Sequence, residues 1–436
     1  MNIDTVAVYS TADKDSLHVK LATKAVCIGP AKASQSYLNM NSILTAALDN
    51  HCDAIHPGFG FLSENSDFAR LCEENNIKFI GPKADVIDAM GNKAMAKTMM
   101  RKGSVPVVPG SDGALKDYDE AKEIADRIGY PVLLKASAGG GGRGMRRAYS
   151  EEELKKAYDE AKAEARACFG NDEMYIEKLI VNPRHIEFQI LADEMGNVVH
   201  LGERDCSIQR KNQKLIEESP CMLLSDELRD KMGAAAVNAA KASGYTNAGT
   251  VEFVLDGDNN FYFIEMNTRI QVEHGVTEMV TGIDLIKEQI RIAFHEPLGF
   301  EQEDIKLKGH AMECRINAED PAKGFMPNSG KITFLNLPGG PGVRVDTMLY
   351  NGYETSPFYD SMMAKIIVHA PTRLEMIRKM RRALMEISTE GIITTSDFEY
   401  LILFHPDFIK GKYNVGFIEE HMDEILSWDA FGEGNE

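Results

Sequence analysis

The sequence lacks long apolar runs and has no excess of positive charge. No apolar stretch approaches the ~18 residues that a membrane-spanning helix needs, and no signal peptide opens the chain. Acidic residues outnumber basic ones by 67 to 48, which gives a formal net charge of −19. A domain that neutralises phosphate backbones is basic, so we expect neither nucleic acid nor a membrane as a partner.

Paired cysteines are also missing. The seven cysteines of the 436-residue chain include no Cys-x-x-Cys pair, and their number is odd. Reduced thiols in a cytoplasmic enzyme are the simplest interpretation. With 44% hydrophobic and 26% charged residues, the composition is that of a globular protein with two or three domains.

The first 90 residues alternate short apolar strands with helical patterns. The alternation predicts an α/β region with a parallel sheet, in which ligands sit beyond the carboxyl ends of the strands. The predicted strands are residues 5–9, 25–28, 54–56 and 78–80, and the predicted helices between them are residues 37–50 and 65–75.

An acidic hairpin is the most informative stretch. Residues 250–255 and 261–266 are rich in β-branched and aromatic residues, and Asp-Gly-Asp-Asn-Asn between them is turn chemistry. Folding about this turn brings Glu252 opposite Glu265, where like charges repel. Two facing carboxylates call for a cation, and Mg²⁺ prefers oxygen ligands.

The second strand of this hairpin carries polar residues at every odd position from 265 to 273. If the chain stays extended, side chains alternate between two faces, so one face carries all of them. An amphipathic strand with a solvated polar side is the alternative. We favour a functional site because the set combines metal-type oxygens with a guanidinium, an amide and a further carboxylate: Glu265, Asn267, Arg269, Gln271 and Glu273.

A glycine-rich loop at residues 139–144 formally matches G-x-G-x-x-G. A dinucleotide-binding loop must lead directly into a helix, whereas here the helical pattern starts only at Ser150. We therefore expect the loop to join two antiparallel strands. It can close over phosphates as a lid, or it can be a surface turn; Lys135 just before it favours phosphate.

Seven longer motifs follow one another along the chain. They are HPGFGFLSEN (56–65), KASAGGGGRGM (135–145), YIEK (175–178), ERDCSIQRKNQK (203–214), FIEMNTRIQVEH (263–274), ECRINAEDP (313–321) and YDSMMAK (359–365). With these motifs the chain resembles the biotin carboxylases, which are ATP-grasp enzymes, over nearly its whole length.

The resemblance implies a multidomain fold of α/β and α+β parts. It places an N-terminal α/β domain at residues 1–90, an ATP-grasp domain at 91–305 with a lid at about 108–180, and a C-terminal biotin carboxylase domain at 306–436. The implied function is the ATP- and bicarbonate-dependent carboxylation of biotin through carboxyphosphate, which is the first half-reaction of acetyl-CoA carboxylase in fatty-acid synthesis.

The resemblance also assigns the ligand-binding residues. Glu252, Glu265 and Asn267 match the ligands of Mg²⁺ or Mn²⁺. Lys214, Arg269, Gln271 and the Val272 backbone match the bicarbonate site. The residues that match ATP contacts are Lys93, Lys135, Gly139, Gly140, Gly141, Gly142, Met145, Glu177, Lys178, Leu179, Ile180, His185, Gln209 and Asn212.

Three further residues have implied roles. Glu273 matches the general base that deprotonates bicarbonate, and neighbouring cations are expected to keep it ionised. Arg315 matches the group that stabilises negative charge on the biotin ureido oxygen. Cys206 lies within ERDCS, but the chemistry has no covalent step that needs a thiolate, so we expect a packed, positional role.

The chain departs from the family pattern at several positions. The family's first strand, Asn-Arg-Gly-Glu turn and helix have no counterpart before residues 5–9, so we expect exposed apolar surface and unpaired strand edges. Phe59 replaces a frequent Tyr and loses its hydroxyl. Asn212 replaces a frequent His, and Gly275 replaces Pro, which is expected to loosen that turn.

The partners follow from the resemblance as well. The chain lacks the Ala-Met-Lys-Met signature of biotin attachment, so biotin is expected on a separate carrier protein, beside carboxyltransferase subunits and within a homodimer. Three alternatives stay open: a subunit of another acyl-CoA or pyruvate carboxylase, a different ATP-grasp ligase that joins a carboxylate to an amine, and an inactive assembly subunit.

Overall fold

The structure is a computed structural model, and it describes residues 1–136, 145–169 and 172–428. Among these residues, none of the helices combines the length and the apolarity that crossing a bilayer requires. The cysteines whose side chains are described are free thiols: Cys27, Cys52, Cys72, Cys206, Cys221 and Cys314.

The N-terminal region has the predicted α/β pattern, with parallel pairing of β1 with β2 and of β3 with β4. Its core is formed by Phe68, Cys72 and Phe79, which are almost fully buried. Its elements are β1 (Val6–Ser10), α1 (Leu17–Leu21), β2 (Lys24–Gly29), α2 (Met40–Asp49), β3 (Ala54–Ile55), α3 (Ser66–Glu74), β4 (Lys78–Phe79) and α4 (Ala84–Gly91).

The predicted N-terminal sheet is divided into two ribbons. Among the described strands, β1 pairs only with β2, and β3 pairs only with β4. A cavity of about 710 Å³ separates the ribbons, and Val6, Val8, Ile55 and Phe294 contribute to its apolar lining. The unpaired edges and exposed apolar surface expected for this region are therefore confirmed.

A small three-stranded lobe follows. Its strands run in the order β6-β5-β7 and are antiparallel, as expected for the strands that the glycine-rich loop joins. Residues 137–144, which include Gly139, Gly140, Gly141 and Gly142, lie outside the described residues. The elements are α5 (Lys93–Lys102), α6 (Tyr118–Ile128), β5 (Val132–Ala136), β6 (Met145–Ala148), α7 (Glu151–Phe169) and β7 (Met174–Lys178).

The largest sheet among the described residues has eight antiparallel strands, which lie side by side in the order β12-β11-β8-β9-β10-β13-β18-β17. Strands from both sides of residue 305 share this sheet, because β10 pairs with β13 over Ile216–Ser219. Its strands are β8 (Arg184–Ala192), β9 (Val198–Arg210), β10 (Gln213–Ser219), β11 (Asn247–Leu255), β12 (Phe261–Asn267), β13 (His310–Asn317), β17 (Val343–Thr347) and β18 (Met362–Ala370).

Helices cover the large sheet. On α8 the buried residues are mostly alanines, such as Ala236 and Ala239, so the helix packs closely on β8 and β9. The remaining elements are α8 (Asp226–Ser243), α9 (His274–Thr281), α10 (Leu285–Ala293), β14 (Glu319–Asp320), β15 (Met326–Pro327), β16 (Phe334–Asn336), α11 (Arg373–Glu386), β19 (Ser388–Glu390), α12 (Ser396–Ile402), α13 (Pro406–Ile409) and α14 (Phe417–Leu426).

The pairing of β10 with β13 buries two acids side by side. Glu217 is the register partner of Glu313, and both residues are fully buried. Glu217 accepts a 2.6 Å hydrogen bond from Arg315, whereas neither oxygen of Glu313 has a hydrogen-bond partner among the described residues. Burial raises the pKa of Glu313 to about 7.

Glu313→Gln is expected to gain stability relative to the unsubstituted protein as pH rises. Because the pKa of this carboxyl rises from 4.5 in the unfolded chain to about 7 in the fold, the unfolded chain loses the proton first. The free energy of unfolding of the unsubstituted protein therefore falls by about 3 kcal/mol between those two pH values. A glutamine at this position does not titrate, so the variant does not show this decrease. Denaturant unfolding of both proteins at about pH 5 and about pH 8 measures it. A stability difference that does not change with pH contradicts the expectation.

Candidate active site

The acidic hairpin has the predicted register. Glu252 on β11 is the direct partner of Glu265 on β12, so both side chains lie on the same side of the sheet. A bulge follows Glu252, and the turn at the far end is stabilised by Asp256, whose carboxylate accepts from the backbone of Asp258 and Asn260. The sequence therefore predicted the pairing that brings the two acids together.

The extended continuation of this strand was predicted wrongly. β12 ends at Asn267, and residues 268–273 form bends and a turn that lead into α9, with Glu273 at its N-cap. The polar groups still converge, because the turn brings Gln271 back so that its Nε2 donates to Glu252 Oε1 at 2.7 Å. The polar groups therefore meet because the chain folds back after Asn267, and not because they alternate along one extended strand.

Lys214 on β10 is the centre of the site. Its Nζ donates to Glu187 at 2.6 Å, to Glu273 at 2.6 Å and to Glu252 at 3.1 Å. Burial lowers the pKa of this ammonium, but the three carboxylates raise it well above its ordinary value. The lysine is therefore charged, and it compensates acids from three separate parts of the chain.

Glu273 lies between two cations. One carboxylate oxygen accepts from Lys214, and the other accepts from Arg315 at 2.9 Å. Burial raises the pKa of Glu273, but Lys214 and Arg315 lower it more, so that it falls well below its usual range. A carboxylate that is buried and yet ionised can accept a proton from a bound acid.

Arg269 lies at the edge of this cluster, and it connects the site to the N-terminal region. Its Nε donates to Glu64 at 2.8 Å, and its NH2 group donates to Asn267 Oδ1 at 3.0 Å. Glu64 also accepts from the Thr268 backbone. Glu64 was not identified from the sequence as a site residue, although it lies in the HPGFGFLSEN motif.

The sequence reasoning also missed two fully buried residues, Arg204 and Glu187. Arg204 Nε donates to Glu187 at 2.5 Å, and its NH2 group donates to Gln271 Oε1 at 2.9 Å. The same guanidinium donates to Gln189 and Thr250. An arginine in ERDCS and alternating polar residues on β8 were the available signals.

The donor set at Glu252 and Glu265 fits a hard divalent cation. Glu252, Glu265 and Asn267 can each offer a side-chain oxygen, and Mg²⁺ and similar ions bind oxygen ligands. Burial, and then the charge of the facing Glu252, raise the pKa of Glu265. A cation bound between the two carboxylates would offset this repulsion. Asn267 now turns its Nδ2 towards Glu252 Oε1 at 2.8 Å, so it must rotate its amide to offer its oxygen to a metal.

His185 on β8 supplies further positive charge at this point. Its Nε2 lies 3.2 Å from Glu252 Oε2 and 3.6 Å from Glu187. Burial lowers the pKa of His185, but the Glu252 carboxylate raises it, to about 9 overall. At neutral pH the protonated ring and Lys214 together offset the charge that Glu252 brings.

Two of the lysines that were predicted to contact nucleotide, Lys135 and Lys178, lie on strands of the three-stranded lobe, whereas Lys97 was not among the predicted residues. Lys135 on β5 and Lys97 on α5 both form ion pairs with the buried Glu177, the latter at 2.6 Å. The side chain of Lys178 instead donates to the backbone carbonyls of Gly129 and Tyr130. Glu177 is thus fixed by two cations rather than exposed to solvent.

The other residues that were predicted to contact the nucleotide lie on the large sheet and on the three-stranded lobe. Gln209 is the register partner of Lys214, which places it on the face of the sheet that carries the charge cluster. Asn212 is exposed in the tight turn between β9 and β10, with a positive φ of 65°. The remaining positions are Lys93 at the start of α5, Met145 at the start of β6, and Leu179 and Ile180 just after β7.

Two single-residue expectations can be compared with the structure. Cys206 is fully buried, and burial followed by the charge of Glu187 raises its pKa well above the usual value, so the thiol is inert and packed as expected. Gly275 lies in the first turn of α9. A Cβ there would lie 2.3 Å from Ile367, so glycine allows α9 to pack closely on β18.

Arg204→Met is expected to lower the free energy of unfolding by about 3–5 kcal/mol, because it leaves the buried Glu187 short of a cation. Adding Glu187→Gln should recover part of the loss. Denaturant unfolding measures both variants, with Arg382→Met on the exposed face of α11 as the control. Equal midpoints for Arg204→Met and the control would contradict a buried charge pair.

This chain is similar in sequence to known proteins. Three family models match in sequence: "Biotin carboxylase, N-terminal domain" over residues 1–87, "Carbamoyl-phosphate synthase L chain, ATP binding domain" over 92–300, and "Biotin carboxylase C-terminal domain" over 313–420. Together they match most of the chain.

Individual relatives are similar over almost the full length. Biotin carboxylase 1 of Bacillus subtilis is 55% identical over 97% of this chain and 94% of that protein. A pyruvate carboxylase subunit of Methanothermobacter thermautotrophicus is 53% identical over 98% of this chain and 86% of that protein. A crystal structure of the biotin carboxylase domain dimer of Hydrogenobacter thermophilus 2-oxoglutarate carboxylase, with MgADP, ADP and bicarbonate, has a TM-score of 0.89. It is 52% identical and covers 98% of this chain and 94% of that one.

These matches and the buried charge cluster point to the same assignment. The family models account for the N-terminal, ATP-binding and C-terminal parts in the expected order. The chain belongs to the biotin carboxylase family, the ATP-grasp ligases that serve biotin-dependent carboxylases.

Proposed function

We propose that the protein uses ATP and bicarbonate to carboxylate N1′ of biotin on a separate carrier protein, through carboxyphosphate. The observation that carries the proposal is the position of Glu273. It is buried and ionised, and its two oxygens are held by Lys214 and Arg315 at 2.6 and 2.9 Å. One carboxylate thus lies between Lys214, which is assigned to bicarbonate, and Arg315, which is assigned to biotin.

Glu273 is proposed to be the general base. Lys214 donates to Glu273, Gln271 donates to Glu252, and Arg269 donates to Asn267 at the edge of the same charge cluster. Together they would supply the positive charge and the amide that a small planar oxyanion requires. Bicarbonate held there gives its proton to Glu273, and its oxygen then attacks the γ-phosphorus of ATP. The bond between the β- and γ-phosphates breaks, so that ADP leaves and carboxyphosphate forms. The low pKa of Glu273 leaves its carboxylate unprotonated before bicarbonate arrives, and it also makes this carboxylate a weaker base than an ordinary glutamate.

Nucleotide and metal are proposed to bind between the lobe and the hairpin. Glu252, Glu265 and Asn267 would hold Mg²⁺ or Mn²⁺, and the bound metal supplies positive charge that stabilises the transferring γ-phosphoryl group. Lys135 would exchange its ion pair with Glu177 for contacts with phosphate. Lys93, His185, Gln209 and Asn212 complete the proposed contacts on this side.

Arg315 is proposed to stabilise negative charge on the ureido oxygen of biotin. It donates to Glu217 through Nε and to Glu273 through NH2, so its guanidinium is fixed in two directions. A fixed donor that meets developing charge lowers the barrier without reorganising during the reaction. The proton-accepting and the oxyanion-stabilising groups are therefore neighbours.

The parent enzyme is proposed to be acetyl-CoA carboxylase, with this chain as its biotin carboxylase subunit for malonyl-CoA and fatty-acid synthesis. The partners are then a biotin carboxyl carrier protein and carboxyltransferase subunits, and the chain forms a homodimer. Similarity alone does not select this parent, since relatives named for pyruvate and 2-oxoglutarate carboxylases are 53% and 52% identical. Carboxylation assays with the carrier proteins of each enzyme class discriminate between them.

The purified protein is expected to hydrolyse ATP only slowly until bicarbonate and free biotin are both present. Glu273→Gln should lower the stimulated rate by at least about 100-fold, because the general base is removed. Glu419→Gln, on the exposed face of α14, is the control. The proposal fails if folded protein shows no stimulation, or if Glu273→Gln turns over at the control rate.

Glu265→Gln is expected to raise the Mg²⁺ concentration at half-maximal ATP turnover by at least about tenfold. The same substitution should leave the metal-free fold equally or more stable, since burial disfavours the Glu265 charge. Mn²⁺ binding followed by electron paramagnetic resonance gives a second readout that does not depend on turnover. Unchanged metal affinity would remove Glu265 from the metal site.

A further inference from the structure

The YDSMMAK motif has no role in the site described so far. Its last residue, Lys365, lies on β18 with a side chain that is only 7% exposed. The Nζ atom donates to the backbone carbonyl of Val272 at 2.5 Å. This contact joins residues that are 93 positions apart in the chain, and it ends within the turn that carries Gln271 and Glu273.

Each of the three residues in that turn is held by a different buried cation. Gln271 accepts from Arg204 on β9, Val272 accepts from Lys365 on β18, and Glu273 accepts from Lys214 on β10. The side chains of residues 271 and 273 and the Val272 backbone have been assigned to bicarbonate above, and the Val272 carbonyl has its own anchor. Of these three cations, Lys365 holds the backbone, whereas the other two hold side chains.

Two acidic side chains lie beside Lys365. Its Nζ lies 3.6 Å from Glu313 on β13 and 3.5 Å from Asp346 on β17. Lys365 is also the register partner of Arg315, so the two cations stand side by side on one face of the sheet. Arg315 fixes the Glu273 carboxylate while Lys365 fixes the carbonyl that precedes it.

We propose that Lys365 is a positioning residue for bicarbonate. By holding the Val272 carbonyl, it sets the direction of the Val272–Glu273 peptide, and with it the separation between the Gln271 amide and the Glu273 carboxylate. This inference rests on the proposed function, because it assigns Lys365 to the bicarbonate site of that reaction. Lys365 does not touch the reacting atoms; it acts through the backbone of the turn.

Lys365→Met should raise the KM for bicarbonate by about 10–100-fold, as loss of a supporting contact does at other sites. The KM for ATP should change by less than about threefold, because Lys365 Nζ contacts Val272, Glu313 and Asp346, which are not among the residues proposed to bind the nucleotide. Lys365→Arg can still donate to the carbonyl and should restore most of the affinity. ATP hydrolysis in the presence of free biotin measures both KM values of Lys365→Met and the KM for bicarbonate of Lys365→Arg.

A matched control is available on α11. Lys379 also donates from Nζ to backbone carbonyls, those of Pro341 and His369, but far from the turn. Lys379→Met therefore removes the same kind of contact and should leave the KM for bicarbonate unchanged. Equal effects of Lys365→Met and Lys379→Met would overturn the inference.

Lys365→Met removes the lysine beside the buried Glu313, whereas Asp346 keeps its ion pair with Arg344, and the substitution can destabilise the fold for that reason alone. The double variant Lys365→Met/Glu313→Gln removes a charge of each sign and is expected to regain the melting temperature of the unsubstituted protein. Its KM for bicarbonate should stay high, because the carbonyl still has no anchor. If the double variant regains the KM as well, Lys365 is only structural.

The outcomes also separate this inference from the proposed function. Unsubstituted protein without bicarbonate-stimulated ATP hydrolysis overturns both. Active protein whose KM for bicarbonate is unchanged by Lys365→Met overturns the role of Lys365 alone. Active protein with a selective rise in that KM, restored by Lys365→Arg and not by Glu313→Gln, supports it.

Discussion

The site depends on the balance of charges that are buried together. Four cations, Lys214, Arg204, Arg315 and Lys365, lie with Glu187, Glu217, Glu252, Glu273 and Glu313 in the centre of the large sheet. Isolated charges are strongly disfavoured there, and removing one partner leaves another uncompensated. The ionic state of each residue is therefore set by its neighbours, and the ionised Glu273 is a property of the whole cluster.

The continuous sheet explains how residues so far apart in sequence meet. Strands β8 to β13 and β18 lie side by side, and each contributes one or two charged residues to the same region. The turn after β12 then brings Gln271, Val272 and Glu273 into contact with Arg204, Lys365 and Lys214 on these strands. Since β13 and β18 come from the C-terminal part of the chain, Arg315 and Lys365 are fixed relative to Lys214 by hydrogen-bonded pairing rather than by a flexible interface.

The local part of this arrangement could be predicted from the sequence. A tight turn fixes hairpin register, so the pairing of Glu252 with Glu265 followed from the positions of Asp256 to Asn260. The extension of that strand to Glu273 was wrong, because period-two polarity also occurs in a turn that folds back. Arg204, Glu187 and Lys365 escaped notice because their roles come from partners on other strands. The unpaired strand edges of the N-terminal region, in contrast, were expected from the family's strand pattern, whereas the division of its sheet into two ribbons was not.

The protonation state of Glu273 tests the account most directly. In protein labelled with ¹³C at glutamate side-chain carboxyls, the Glu273 signal can be assigned by its loss in Glu273→Gln and followed as pH falls. The account predicts a carboxylate that stays ionised down to about pH 4 or to acid unfolding, whichever comes first. A Glu273 carboxyl that takes up its proton at or above about pH 5 would contradict the claim that buried cations hold this base ready.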